Sequence, residues 1–169
     1  MKLHPATEEH LLEIMTVDRE AFPTPWSKKL WMKEISRTER AYYVAIEGQK
    51  VIGFGGGLLA GDDFHLTTIA VRASNLSKGV ATLIMVKLLE DAVKLGATNL
   101  TLEVRIGNLP AQALYRKFGM VPAGIRPSYY QPDNEDALIM WANDIHEQPY
   151  MKLLDSIKQS QKTKEVLSS

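Results

Sequence analysis

The sequence predicts an α+β fold: a mixed, mostly antiparallel twisted sheet flanked by helices. Three observations predict it. Helical and strand periodicities follow one another in the order helix, helix, three strands, helix, strand, helix, two strands. The segment "AYYVAIEGQKVIGFGGGLLA" reads as a hairpin turning at Gly48-Gln49. A long amphipathic helix, "GVATLIMVKLLEDAVKLG", sits mid-chain between strand patterns.

Each element has a local reason. "TEEHLLEIMTVDREAF" reads as the first helix, with Thr7 as N-cap, Glu8 and Glu9 in the first turn, and a stripe of Leu11, Ile14, Met15 and Val17. The two prolines of "FPTPW" end it. Ser27 caps a second helix carrying Leu30, Trp31, Glu34 and Ile35. The hairpin follows, then a strand from Phe64 to Val71. The long helix begins near Lys78-Gly79, buries Leu83, Val86, Leu89 and Val93, and stops at Gly96. "TNLTLEVR" is a strand. The next helix is capped by Asn108, holds Pro110 in its first turn, presents Ala111, Leu114 and Phe118, and ends at Gly119. Two strands around the turn "PDNE" close the sheet. Residues 1–143 form one domain. Residues 144–169 are a polar tail expected to be partly helical or disordered, with "PYMKLLDSIKQSQ" making a turn or two and the last eight residues loose.

Composition narrows the function. Lys plus Arg equals Asp plus Glu at 20 each, so no global charge draws the chain to nucleic acid or an anionic membrane. An anionic ligand must be held by local geometry. No cysteine is present, which removes disulfides, thiolate metal sites and a cysteine nucleophile. The four histidines, His4, His10, His65 and His146, have no metal-ligand spacing and read as surface or capping residues. The N-terminus lacks an apolar signal core, and no apolar run reaches membrane-span length. A cytoplasmic location is the expectation.

Two stretches carry chemistry. From Val71 to Ala81 a strand ends, a small-residue loop follows and a helix begins. Free N–H groups at a helix N-terminus hold phosphate without net positive charge. Gly79 and Ala81 leave room for a ligand to approach the backbone, and Lys78 adds a charge. Taken alone, the stretch also fits a plain strand-to-helix turn. The second stretch is "LEVRIGNLPAQALYRKFGM". Glu103 stands in an apolar strand, on the face opposite Leu102 and Val104. Tyr115 stands on the following helix, where a phenol can lie in an apolar wall and still donate one hydrogen bond. A solvent-facing carboxylate and an amphipathic tyrosine at a helix edge fit the same letters.

Together, "TTIAVRASNLSKGVATLIMVKLLEDA" and "LTLEVRIGNLPAQALYRKFGM" resemble the GNAT superfamily of N-acetyltransferases. "FPTPWS", "IRPSYY" and "EDALIM" bring the likeness closer to its RimI-type members, which acetylate the N-terminal alanine of a small-subunit ribosomal protein. The resemblance covers roughly residues 8 to 142. It implies acetyl-CoA as cosubstrate and no metal. It implies that the loop grips the pyrophosphate through Ser77, Lys78, Gly79, Val80, Ala81 and Thr82, and that the backbone of Ile69, Ala70 and Val71 pairs with the pantetheine arm. Asn108 would cap its helix and face that arm. Glu103 would be the base and Tyr115 the acid. Trp26, Arg126, Tyr129 and Tyr130 would wall the peptide. The family loop reads Q/R-x-x-G-x-G/A, and Leu76 stands at the Gln/Arg place. The resemblance implies a protein N-terminus as partner, a ribosomal protein first, with no direct nucleic acid and no membrane. A GNAT enzyme acting on a small amine or lysine side chain, or a non-catalytic acyl-CoA-binding module, stands as the alternative.

Overall fold

The computed structural model describes residues 1–167. Its strands are β1 (Lys2–Pro5), β2 (Arg40–Glu47), β3 (Lys50–Ala60), β4 (Asp63–Val71), β5 (Asn99–Arg105), β6 (Val121–Tyr130) and β7 (Glu135–Ala142). They form one sheet in the order β1-β2-β3-β4-β5-β7-β6. The helices are α1 (Leu11–Ala21), α2 (Lys28–Ile35), α3 (Val80–Lys94), α4 (Leu109–Lys117) and α5 (Gln148–Leu167). The expected α+β architecture is the observed one.

Every neighbouring pair in the sheet is antiparallel except β4 and β5. That parallel pair holds only three rungs: Asp63 with Asn99, Phe64 with Leu100, and His65 with Thr101. Beyond His65 the two strands part. The cause is visible two residues later. In the β3–β4 ladder Gly56 faces Thr68 and Gly57 faces Leu66, so Thr67 is an extra, bulged residue. A bulge bends its strand and disrupts the ladder locally. The Thr67 hydroxyl pins the bend by donating to the Gly56 carbonyl at 3.0 Å.

The bulge also reverses which residues face which side. One buried cluster, under α3, α4 and α5, takes Ala45, Ile52, Phe64 and Leu66, and Ile69 and Val71 pack against it. The other, under α1 and α2, takes Val44, Val51, Phe54 and Ala70. The even positions 64 and 66 therefore face α3 before the bulge, and the odd positions 69 and 71 face it afterwards.

Four expectations need correction. Residues 2–5 form an edge strand that was not expected; too short to show periodicity, it is defined by pairing with β2. The first helix begins as a 3-10 turn, Glu8–His10, and Thr7 forms its capping box with His10. The buried side of α3 centres on Ile84, Met85, Leu88, Leu89 and Ala92, not on Leu83 and Val93, which are only half-buried. The helix is covered on two sides, by the sheet and by α5. The tail, finally, is much more helical than a turn or two. α5 runs for 20 residues and buries Leu154 and Ile157 in the α3-side cluster. The expected loose end fails over 162–167, and residues 168–169 lie outside the described residues.

Candidate active site

Where β4 and β5 part, a cleft of about 1760 Å³ opens. Drug-sized pockets run to about 1,000 Å³, so this space suits two reactants rather than one. β4 past the bulge forms one wall and the end of β5 the other. The β4 edge facing β5 has no ladder partner from Leu66 to Val71. It offers unused N–H and C=O groups to an extended ligand. Ile69, Ala70 and Val71 are thus brought to the cleft as expected.

The loop leading to α3 is fixed from behind. Arg72 directly follows β4 and donates through Nε to the Val51 carbonyl at 2.7 Å. Its guanidinium also meets Glu20 at 2.7 Å and Glu13 at 3.3 Å, both on α1. The chain then rises through Ser77 (φ 62°) to Gly79 (φ 82°), the N-cap of α3. Among the described residues no side chain caps this helix, and its first turn carries no acid. Its leading N–H groups are therefore free for an anion. Ser77, Lys78, Gly79, Val80, Ala81 and Thr82 all line the cleft. The expected reason for Gly79 needs correction, however. The space beside its Cα is not open to a ligand: a Cβ there would lie 2.2 Å from Oε1 of Gln161, on α5. Glycine is required by the left-handed backbone, and the tip of the flexible Gln161 side chain occupies the space a Cβ would take.

β5 alternates as expected. Leu100, Leu102 and Val104 join the α3-side core, which puts Glu103 on the other face. Its side chain is 10% exposed and lies between Arg126 and His65: Oε1 is 3.1 Å from Nη2 of Arg126, and Oε2 is 3.1 Å from Nε2 of His65. His65 was expected to be an ordinary surface or capping histidine and is not. It sits on the last β4–β5 rung, before the bulge, so it shares a face with Glu103. Only the pairing register carries that signal; spacing in the chain does not.

α4 is tied to β5 by Gln112, whose buried amide donates to the carbonyls of Arg105 at 3.3 Å and Ile106 at 2.8 Å. Asn108 caps the helix by accepting from the Ala111 N–H at 3.2 Å. The buried side of α4 contains Gln112, Tyr115 and Phe118, so Tyr115 lies at its centre and not at its edge. Tyr115 is 6% exposed and belongs to the α3-side cluster, yet it lines the cleft. Its hydroxyl makes no hydrogen bond to any described residue. Burial, then the neighbouring Tyr130, pushes the phenol well above its ordinary range. Glu103 and Tyr115 therefore reach one cleft from opposite faces of the sheet.

The expected peptide wall divides. Trp26 and Tyr130 line the cleft; Arg126 and Tyr129 do not. Those two stand on the edge strand β6, where Arg126 reaches Glu103 and lies 5.7 Å from the Tyr129 ring. Tyr130 packs against the Arg105 guanidinium at 4.4 Å, and burial first, then Tyr129 and Glu103, pushes its phenol up to about 12.

Trp26 is held by a buried carboxylate. Asp18 Oδ2 accepts from the Trp26 N–H at 2.8 Å and from Trp31 Nε1 at 2.9 Å. Desolvation raises the Asp18 carboxyl, and these two hydrogen bonds with the Arg19 charge oppose it. Asp18→Ala leaves the fully buried Trp31 N–H unpaired, a cost of about 2 kcal/mol. Urea unfolding should show that loss, with a smaller one for Asp18→Asn, which keeps an acceptor.

Among the described residues no group of three or more His, Asp or Glu is placed to hold a metal. No helix among them is long and apolar enough to cross a membrane.

Residues 9–120 match the model of the acetyltransferase (GNAT) family. The chain belongs to that family. A Bacillus subtilis relative named "putative ribosomal protein bS18-alanine N-acetyltransferase" is 35% identical over 134 residues, 79% of this chain and 89% of that protein. The Escherichia coli ribosomal protein bS18-alanine N-acetyltransferase is 30% identical over 126 residues, 73% of this chain and 84% of its own. A crystal structure of the Escherichia coli enzyme superposes with a TM-score of 0.78 at 26% identity, covering 85% and 93% of the two chains. A NatC complex solved with Gag peptide and CoA has the same fold at 16% identity and TM-score 0.72, covering 85% of this chain and 99% of that one. This GNAT chain is an acetyl-CoA-dependent N-acetyltransferase.

Proposed function

We propose that this N-acetyltransferase acts on the N-terminal amine of a protein, with the N-terminal alanine of small-subunit ribosomal protein bS18 as its first candidate substrate. The observation that carries the reading is the placement of Glu103 and Tyr115 on opposite faces of the split between β4 and β5. The names of the Bacillus and Escherichia relatives support the choice of this candidate substrate.

The uncapped first turn of α3 and the free edge of β4 fit acetyl-CoA. Ser77 to Thr82 would take its pyrophosphate, Ile69 to Val71 its extended arm through backbone groups, and Asn108 would stand beside that arm. Acetyl-CoA supplies the acyl carbon and a thiolate leaving group. The chain supplies the proton transfers. Glu103, directly or through a water, takes the proton that an N-terminal ammonium must lose. Such an amine has a reference pKa of about 7.7–8.0, against about 10.4 for lysine, so one carboxylate beside Arg126 and His65 suits the α-amine better. Tyr115 keeps its proton through the neutral range and donates it to the departing sulfur. Trp26 and Tyr130 wall the amine side, and Arg126 and Tyr129 extend that wall along β6.

The test is acetyl transfer to short peptides differing in residue one, with products located by mass spectrometry. Acetate on the α-amine of alanine-first peptides is expected. Acetate only on lysine side chains or small amines would assign the alternative substrate class. No transfer, with acetyl-CoA bound, would make the chain a binding module.

A further inference from the structure

α5 carries a residue that apolar packing does not explain. Leu154 and Ile157 are buried on the side facing α3, and Gln161 follows Ile157 by one helical turn. The stripe calls for an apolar residue there, and the chain places an amide. The rotation of α5 is fixed beside it by the ion pair of Lys158 with Glu90 on α3. The amide lies directly on the N-cap of α3. Relative to a Cβ built on Gly79, its Oε1 is at 2.2 Å, its Cδ at 3.3 Å and its Nε2 at 3.8 Å, so the donor end is the one turned away. Gln161 lines the cleft together with Ser77 to Thr82. It is half-buried and makes no hydrogen bond to any described residue. The two N–H donors of this amide are unused among the described residues and stand available to a ligand entering the cleft. The loop itself spends a position on Leu76, which is 58% exposed and offers no polar atom.

We propose that Gln161 is a positioning residue for the nucleotide half of acetyl-CoA: its Nε2–H donates to the pyrophosphate at the N-terminus of α3. The C-terminal helix is then part of the cosubstrate site. The first turn of α3 supplies backbone donors from one side, and Gln161 closes the other with a neutral donor. A neutral donor fits a loop whose cations are Arg72, held back by Glu13 and Glu20, and the exposed Lys78. The proposal rests on the acetyl-CoA reading above.

Calorimetric titration of the full chain tests it, with two probes: CoA, and its nucleotide half alone, 3′-phosphoadenosine 5′-diphosphate. Gln161→Ala should weaken both by about tenfold or more, the low end of the worth of one hydrogen bond to a charged group. Gln161→Glu keeps the shape and adds a negative charge, so it should weaken both further. In turnover, KM for acetyl-CoA should rise with kcat unchanged. Thermal unfolding without ligand should not move. Wild type that fails to bind CoA would remove the acetyl-CoA reading itself. Wild type that binds, with both variants within twofold of it, would overturn only the role of Gln161. So would tighter binding by either variant, which would make the amide a plug. Weaker binding by Gln161→Ala with a lowered melting temperature, and unchanged binding by Gln161→Glu, would reduce Gln161 to packing.

Discussion

Tyr115→Phe should lower kcat by about 10²-fold, the usual cost of losing a positioned acid. Its fold should be unaffected. The hydroxyl has no hydrogen-bond partner among the described residues, so deleting it leaves no buried group unpaired. The ring, which packs in the α3-side core, is retained. Stability should therefore change by no more than about 0.5 kcal/mol. The pH dependence has a definite sign. Burial raises the phenol, so its protonated form persists above neutrality, and an alkaline loss of activity below pH 9 should not arise from Tyr115. The variant's deficit should be constant from pH 6 to 9. Stopped-flow turnover beside a melting curve checks both parts. A stability loss matching the activity loss would return Tyr115 to the core and leave the sulfur without a donor.

Glu103→Gln should also cost about 10²-fold or more in kcat, while CoA binding hardly moves. The amide keeps the shape between Arg126 and His65 and removes proton acceptance. Removing the charge also loosens two contacts at 3.1 Å, so a structural role would appear as a lower melting temperature with normal turnover per folded molecule. Near-wild-type turnover from pH 6 to 9 would assign deprotonation to solvent.

The elements of the fold were legible because their signals are local. Ser27 and Asn108 cap where their side chains suggest, and each accepts from the expected N–H. The hairpin turns at Gly48 with a positive φ. Glu103 falls on the face that alternation predicts. What stayed hidden depends on contacts between distant residues. β1 exists through its register with β2. His65 meets Glu103 only because the parallel rungs stop where they do and Thr67 bulges next. The polar tail was expected to make a turn or two, yet α5 buries Leu154 and Ile157, packs Tyr150, Met151 and Leu153 on the same cluster, and is tied at its start by the Tyr150 hydroxyl donating to the Phe118 carbonyl. Gly79 was read as room for a ligand, and the residue that fills that room lies 82 positions later, at Gln161.

In the proposed mechanism, base and acid serve one thioester from opposite faces of a split sheet. A crystal structure with CoA and an alanine-first peptide tests it most directly. The CoA arm should thread between β4 and β5, with its sulfur on the Tyr115 face and the peptide amine on the Glu103 face. Sulfur and amine on the same face, with the Tyr115 hydroxyl out of reach of the sulfur, would contradict it.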